Sequence, residues 1–221
     1  MISVFLNLAL RRPVAVAATL FITLASISAG ADAQTTQSAT ELSGPAKADT
    51  TLHRVRGFLP DLRFKLQGAG GKTVTQDNFK GKTVLLFFGY ASCPDVCPTT
   101  MAQLSQVMEN LGPDAEKVRI VFVSVDPHRD TPDVLQAYVD VFDKNAIGLT
   151  GTEKQIADLA RRYRVAYQIE KPTGPDTEAY EVAHSRGVYM FDGQGRARFL
   201  GANTESVEIL TQGVRSLLTK G

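Results

Sequence analysis

The two cysteines of the chain lie close together in the stretch FFGYASCPDVCPTTM, residues 87–101. Cys93 and Cys97 are separated by three residues and follow an apolar run. If the chain coils into a helix there, their β-carbons lie roughly 5 to 6 Å apart, one turn along the same face. Such a pair can form a disulfide, a redox switch or part of a metal site.

The chemistry available to this pair is that of soft ligands. Thiolate, rather than thiol, binds metals and attacks disulfides, and a helix N-terminus favours the negative charge of the thiolate. Two sulfurs suit Cu(I). A purely structural disulfide is the weaker interpretation, because it closes a very small loop.

The first 33 residues have the features of an export signal. Arg11 and Arg12 precede an uncharged run from Val14 to Ile27, and residues 31–33 have the small-x-small form of a cleavage site. The run is shorter than the roughly 20 residues that span a bilayer. We therefore predict cleavage after Ala33 and a periplasmic location, with an uncleaved membrane anchor as the alternative.

Composition restricts the partners. The chain is 43% hydrophobic and 21% charged, which is ordinary for a globular protein, and two cysteines are too few for a disulfide scaffold. Without residues 1–33 it has 22 basic and 22 acidic residues, so neither nucleic acid nor an anionic membrane surface is an expected partner. Residues 34–53 are mostly small and polar, which is typical of a spacer, and predict a folded domain over residues 54–221.

Strand and helix patterns alternate through this domain. The predicted strands are a pair in RFKLQGAGGKTVTQ, then KTVLLFFGY, VRIVFVSVD and IGLTG, and finally a hairpin in RGVYMFDGQGRARFLG. The predicted helices are one after the cysteines, then TPDVLQAYVDVF, TEKQIADLARRYRV and TESVEILTQGVRSLL. This order predicts an α/β sandwich, a thioredoxin-like fold with a mixed central sheet flanked by helices. Both cysteines then lie at the carboxyl edge of the sheet, where open α/β sheets usually place their sites.

Four segments resemble successive motifs of the Sco/SenC family, and the similarity covers about residues 57–218. The segments are GYASCPDVCPTTM, VFVSVDPHRDTPDVLQAYV, IGLTGTEKQIADLARRYRV and VAHSRGVYMFDGQGR. The family comprises copper-binding assembly factors for cytochrome c oxidase, in which the two motif cysteines and a late histidine bind copper. The resemblance implies that Cys93, Cys97 and His184 bind Cu(I), Cu(II) or both, with no separate catalytic residue. The residue before the histidine is commonly Asp in the family but is Ala183 here.

Two functions follow from the resemblance and the cysteine pair. The first is a copper chaperone that delivers copper to the dinuclear copper centre of the copper-binding oxidase subunit. Another copper chaperone or a thioredoxin-like reductase is a further possible partner. The second is a thiol-disulfide oxidoreductase that keeps the oxidase cysteines reduced, or a redox sensor, with Cys93 and Cys97 as the exchanging pair. Dithiol exchange needs no distant histidine, so we favour the chaperone; a peroxidase on the same fold is a weaker hypothesis.

Charged residues near the predicted site allow two interpretations. Asp126, Arg129 and Asp130 either cap the next helix and pair with one another, or Asp126 helps to set the electrostatics of the site. His128 in the same loop and His53 in the spacer could contact copper transiently, but a solvated histidine is the better interpretation of each.

The remaining residues around the cysteines have structural interpretations. Tyr90 and Pro94 are expected to shape the walls of the site, and Pro98 to start the helix. Met101 and Met108 recur at helical spacing with two leucines, which predicts that they belong to the core rather than to the metal site.

Overall fold

The computed structural model describes residues 52–55, 57–172, 179–201 and 206–219. The predicted signal at residues 1–33 and most of the predicted spacer lie outside the described residues. In the described part of the chain no helix has the length and apolar character needed to cross a membrane.

The described residues form ten strands and four α-helices, joined by loops and short 3-10 helices. The strands are β1 (Leu52–Arg54), β2 (Lys65–Gly68), β3 (Lys72–Thr75), β4 (Thr83–Gly89), β5 (Val118–Ser124), β6 (Ala146–Leu149), β7 (Tyr167–Ile169), β8 (Val182–His184), β9 (Val188–Phe191) and β10 (Ala197–Gly201). The helices are α1 (Val96–Leu111), α2 (Pro132–Asp140), α3 (Glu153–Arg162) and α4 (Val207–Leu218).

The central sheet is mixed, as predicted. Its strand order is β1-β10-β9-β4-β5-β6, in which β4, β5 and β6 run parallel and β9 lies antiparallel to both β4 and β10. Every residue of β4 is buried, which follows from its continuous apolar sequence and from helices packing on both faces of the sheet. The predicted α/β sandwich is therefore confirmed.

Two helices begin where the sequence predicts. The Thr131 hydroxyl accepts the Val134 N–H at the start of α2, and Thr152 and Gln155 form a reciprocal capping box at the start of α3. These caps fix the ends of the loops that follow β5 and β6.

Two features were not predicted. Strand β1 already includes Leu52 and His53, which the sequence assigned to the spacer, and it pairs with β10 at the edge of the sheet. A separate hairpin joins β7 to β8, with Tyr167 opposite His184. This hairpin matters for function because it carries the histidine that the resemblance singles out.

The carboxyl ends of two parallel strands bring the important loops together. Gly89, the last residue of β4, is in register with Ser124, the last residue of β5. The loop that carries Cys93 therefore starts beside the loop that carries Asp126 and Arg129, at the edge where the sequence predicted the site.

Candidate metal centre

The two cysteines occupy different local structures. Cys93 lies in the turn after β4, where its N–H donates to the Tyr90 carbonyl oxygen at 3.2 Å. Helix α1 begins at Val96, so only Cys97 is helical, and the expectation of both cysteines on one helical turn is wrong for Cys93. The Cys93 sulfur nevertheless accepts the Cys97 N–H at 3.5 Å. Because the N-cap residue Asp95 makes no side-chain cap hydrogen bond, this sulfur serves one of the free amides of the first turn.

The position of Cys97 depends on a glycine in β4. Cys97 is completely buried, whereas Cys93 is half-buried, and both are free thiols. A β-carbon built at Gly89 would lie 2.5 Å from Cys97 Sγ and 2.9 Å from the Phe122 ring. Only a residue without a side chain leaves room here for the sulfur, a requirement that we did not predict.

The histidine reaches the cysteines from the hairpin. His184 Nδ1 lies 3.0 Å from the Ser185 carbonyl oxygen, and because a carbonyl can only accept, Nδ1 carries the proton. Nε2 is left with its lone pair and lies 3.3 Å from Cys97 Sγ. The rings of Phe87 and Tyr90 contact the imidazole edge-on, with centroids 6.1 and 5.9 Å away. The imidazole is thus oriented by both its hydrogen bond and its packing.

The three side chains that the resemblance singles out converge. The sulfurs of Cys93 and Cys97 and a ring nitrogen of His184 all lie within 4.8 Å of one another. That span is close to two metal–sulfur bonds of about 2.3 Å each, so small side-chain rotations bring all three within reach of one ion. Two sulfurs and an imidazole are a donor set that suits copper.

Burial sets the protonation of two of these groups. Desolvation raises the pKa of the Cys97 thiol, and the neighbouring Cys93 and Asp130 raise it further. The expectation that the helix N-terminus favours a thiolate is therefore wrong for Cys97, which holds its proton until an ion displaces it. Desolvation lowers the pKa of His184, and the Arg186 cation adds to the effect, so the imidazole stays neutral.

The loop after β5, which contains Asp126, Arg129 and Asp130, forms hydrogen bonds and an ion pair next to the site. Asp126 is completely buried and pairs with Arg129 at 2.5 Å. The buried Asp130 carboxylate accepts the Ser124 hydroxyl at 2.6 Å and the Ala91 N–H at 3.1 Å. The predicted pairing is correct for Asp126 and Arg129, but neither aspartate caps α2. Asp130 instead ties the loop that carries the cysteines to β5.

The two other histidines and the two methionines considered from the sequence lie outside the metal cluster. His128 is 60% exposed and contacts Glu153 at 2.9 Å, which agrees with a solvated histidine, and neither His128 nor His53 belongs to the Cys-Cys-His cluster. Met101 and Met108 are buried in the core, as predicted.

Tyr90 and Pro98 show how the wall and the helix start are built. The Tyr90 hydroxyl accepts the Val182 N–H at 3.3 Å, so this side chain is a wall of the site and also a support for β8. Pro94 is exposed beside Cys93. Pro98 is the third residue of α1 rather than its first, although it still lies in the turn whose N–H groups need no helical acceptor.

Comparison with known proteins gives consistent matches. Residues 59–219 match the SCO1/SenC family. The mitochondrial protein SCO2 of Saccharomyces cerevisiae is 38% identical over 134 residues, which are 60% of this chain and 44% of that protein. The chain spans 44% and 64% of the length of two curated relatives that it matches.

Solved structures agree with these matches. The copper-bound structure of ScoI from Bradyrhizobium japonicum has 36% sequence identity and a TM-score of 0.63, over 72% of this chain and 99% of that one. The copper-bound ScoI of Arabidopsis thaliana has 34% identity and a TM-score of 0.65, over 73% and 99%. These similarities confirm the predicted thioredoxin-like fold.

Proposed function

The chain belongs to the SCO1/SenC family, and from this membership and the geometry of the site we propose that it is a copper chaperone. It binds one copper ion with Cys93, Cys97 and His184 and delivers the ion to the dinuclear copper centre of cytochrome c oxidase during assembly. The observation that carries the proposal is the convergence of three soft or borderline donors, within 4.8 Å, from three separate elements of the fold. The similarity to two copper-bound ScoI structures supports it.

Each ligand has its own part in binding. Cys97 supplies a buried sulfur and loses its proton to solvent when the ion binds, because burial keeps the free thiol protonated. His184 presents the lone pair of Nε2, since its proton is on Nδ1. Cys93 is half-buried and is the sulfur that a receiving protein reaches first. Three protein ligands leave a position at which the incoming ligand binds before Cys93 leaves.

Thiol-disulfide exchange is the second candidate, and one observation favours it. Two free sulfurs lie within 4.8 Å, one half-buried and one buried, which is the arrangement of an attacking and a resolving thiol. In this reaction the Cys93 thiolate attacks a disulfide of the target, and Cys97 then closes the Cys93–Cys97 disulfide, so two electrons pass to the target. His184 has no part in this scheme, although its Nε2 faces Cys97 Sγ. We therefore favour copper delivery.

The proposed location is outside the cytoplasm. The export signal at residues 1–33 would carry the domain to the periplasm, where the oxidase subunit, a second copper chaperone or a thioredoxin-like reductase are the proposed partners. N-terminal sequencing of protein from the native host tests this proposal, because cleavage after Ala33 leaves Gln34 at the N-terminus and an anchored chain retains Met1.

The substitution His184→Ala separates the two functions. Copper delivery requires the imidazole, so the variant should bind Cu(II) much more weakly and should not support oxidase assembly in cells. Its Cys93 and Cys97 thiols should still form a disulfide and be reduced again. His128→Ala is the matched control, because His128 is exposed and outside the cluster. Normal assembly with His184→Ala, together with failed assembly with Cys93→Ser, would replace the delivery proposal with the thiol reductant.

A further inference from the structure

Arg129 connects the histidine hairpin to the loop after β5. Its Nη1 donates to the Tyr180 carbonyl oxygen at 3.0 Å, and its guanidinium lies over the Tyr180 ring, 3.7 Å from the centroid. The Tyr180 hydroxyl in turn donates to Asp126 Oδ1 at 2.8 Å, while Arg129 pairs with the other oxygen of the same carboxylate. Arg129 and Asp126 together thus contact the backbone, the ring and the hydroxyl of Tyr180.

This group of contacts lies close to the histidine in both sequence and space. Tyr180 precedes His184 by four residues, and Val182 between them donates its N–H to the Tyr90 hydroxyl. The Arg129 guanidinium also lies 5.5 Å from the centroid of the Tyr90 ring, and that ring contacts the His184 imidazole edge-on. Tyr90 is itself in the turn that carries Cys93. The loop after β5, the cysteine turn and the hairpin therefore meet at Arg129.

We propose that Arg129, held by Asp126 and Tyr180, is a positioning residue that keeps His184 against Cys97 and so determines whether bound copper has two or three protein ligands. The inference rests on the proposed function, since it assigns how the third ligand is kept in place. The hairpin has only three residues in each strand, and hairpins of this size are marginal without packing against other elements. The contacts with Arg129 and Tyr90 add to the packing of Val182 in the core and of the His184 ring against Phe87.

The two oxidation states of copper should respond differently to loss of this support. Cu(I) is well held by two thiolates, whereas Cu(II) prefers nitrogen ligands and depends on the imidazole. A hairpin released from Arg129 therefore leaves the Cu(I) site nearly intact and weakens the Cu(II) site. A defect of the whole fold would instead weaken both.

Conservative variants test the role without leaving a buried charge unpaired. Arg129→Lys keeps the positive charge beside Asp126, but an ammonium cannot reproduce the planar fork that reaches Asp126 and the Tyr180 carbonyl together. Tyr180→Phe removes only the hydroxyl that donates to Asp126 and keeps the ring under the guanidinium. Arg161→Lys is the matched control, because Arg161 is 75% exposed and pairs with Asp158 on the surface of α3.

The experiment measures the hairpin without copper and the ligands with copper, using the full chain. In the copper-free protein we expect Arg129→Lys to speed amide hydrogen exchange at Val182 about tenfold, with exchange in β4 unchanged. With Cu(II), nitrogen coupling from the imidazole in the electron paramagnetic resonance spectrum should weaken. Cu(II) affinity should fall about tenfold while Cu(I) affinity, measured by competition with a chelator, stays within about threefold of wild type. Tyr180→Phe should show the same pattern to a smaller extent, and Arg161→Lys should match wild type.

The outcomes separate this inference from the function on which it rests. Wild-type exchange at Val182 and unchanged nitrogen coupling in both Arg129→Lys and Tyr180→Phe would overturn the positioning role. Equal losses of Cu(I) and Cu(II) affinity, with faster exchange in β4, would also overturn it, because they indicate a general structural role. If the wild-type chain binds neither Cu(I) nor Cu(II), the proposed function and the claim about ligand number are both overturned. This result is obtained before any variant is compared.

Discussion

The substitution Gly89→Ala should damage the metal site through a single added methyl group. The new β-carbon would lie 2.5 Å from Cys97 Sγ and 2.9 Å from the Phe122 ring. Non-bonded carbon contacts are favourable at about 3.5 to 4.0 Å, so the sulfur or the strand must move by about 1 Å. A shift of that size is large relative to the 3.3 Å that separates Cys97 Sγ from His184 Nε2.

The magnitude follows from overpacking in a rigid part of the core. All of β4 is buried, and the atoms that oppose the methyl group belong to a buried cysteine and a buried ring. Overpacking of this kind costs about 1 to 3 kcal/mol. For a domain of this size each kcal/mol lowers Tm by about 2 to 4 °C. We therefore expect Tm to fall by this energetic cost multiplied by about 2 to 4 °C per kcal/mol. In the protein that remains folded, copper binding should be weaker.

Two other glycines provide controls. A β-carbon at Gly148 would lie 2.7 Å from backbone and side-chain atoms of Leu135, so Gly148→Ala should destabilise the fold through a clash with α2 rather than with a proposed ligand. At Gly193 the nearest atom is 3.4 Å away, an ordinary contact, so Gly193→Ala should change little. Thermal unfolding gives the stability of each variant, and chelator competition below Tm gives its copper affinity. Wild-type stability and copper affinity in Gly89→Ala would refute the reasoning, and so would an equal loss of affinity in Gly148→Ala.

Three further predictions concern protonation and the buried carboxylate. Because burial raises the pKa of Cys97, copper binding at neutral pH should release at least the Cys97 proton, and affinity should rise at least about tenfold per pH unit; titration calorimetry in buffers of different ionisation enthalpy checks this. The pKa of His184 is lowered in the folded chain, so as pH falls the unfolded chain takes up a proton first, near pH 6.5. The stability of the copper-free protein should therefore fall as pH drops through this region. Urea unfolding should show a smaller fall in His184→Ala. Asp130→Ala should cost about 3 kcal/mol, because the Ser124 hydroxyl and the Ala91 N–H lose their shared acceptor; a loss below about 1 kcal/mol in urea unfolding would contradict this role.

Most of the fold could be predicted because its strands and helix starts have local signals. Strand β5 contains the apolar run of residues 120–123, and Thr131 and Thr152 stand where helix caps are expected. The strands β1, β7 and β8 have only three residues each, too few for any periodicity to be visible. Their pairing depends on distant residues, such as Gly201 opposite Leu52, which local patterns do not reveal.

From residue spacing alone, the candidate site could likewise be predicted only where it depends on residues close in sequence. The spacing of Cys93 and Cys97 predicted that their sulfurs would be neighbours, and the family resemblance indicated His184. The protonation of Cys97 could not be predicted, because the local helix N-terminus favours thiolate while burial by parts of the fold that are distant in sequence favours thiol. Burial prevails because Cys97 is completely enclosed.

The unequal burial of the two cysteines gives the proposed transfer a direction. A receiving ligand reaches the half-buried Cys93 first, so the ion leaves this sulfur while Cys97 and His184 still hold it. When Cys97 finally releases the ion, its raised pKa makes the buried thiolate take up a proton, which then competes with the ion for the sulfur. His184 takes up no proton at neutral pH, because its pKa is lowered, and its Nε2 stays ready for the next ion. The burial of Cys97 thus couples binding of the ion to release of a proton. It equally couples departure of the ion to uptake of a proton.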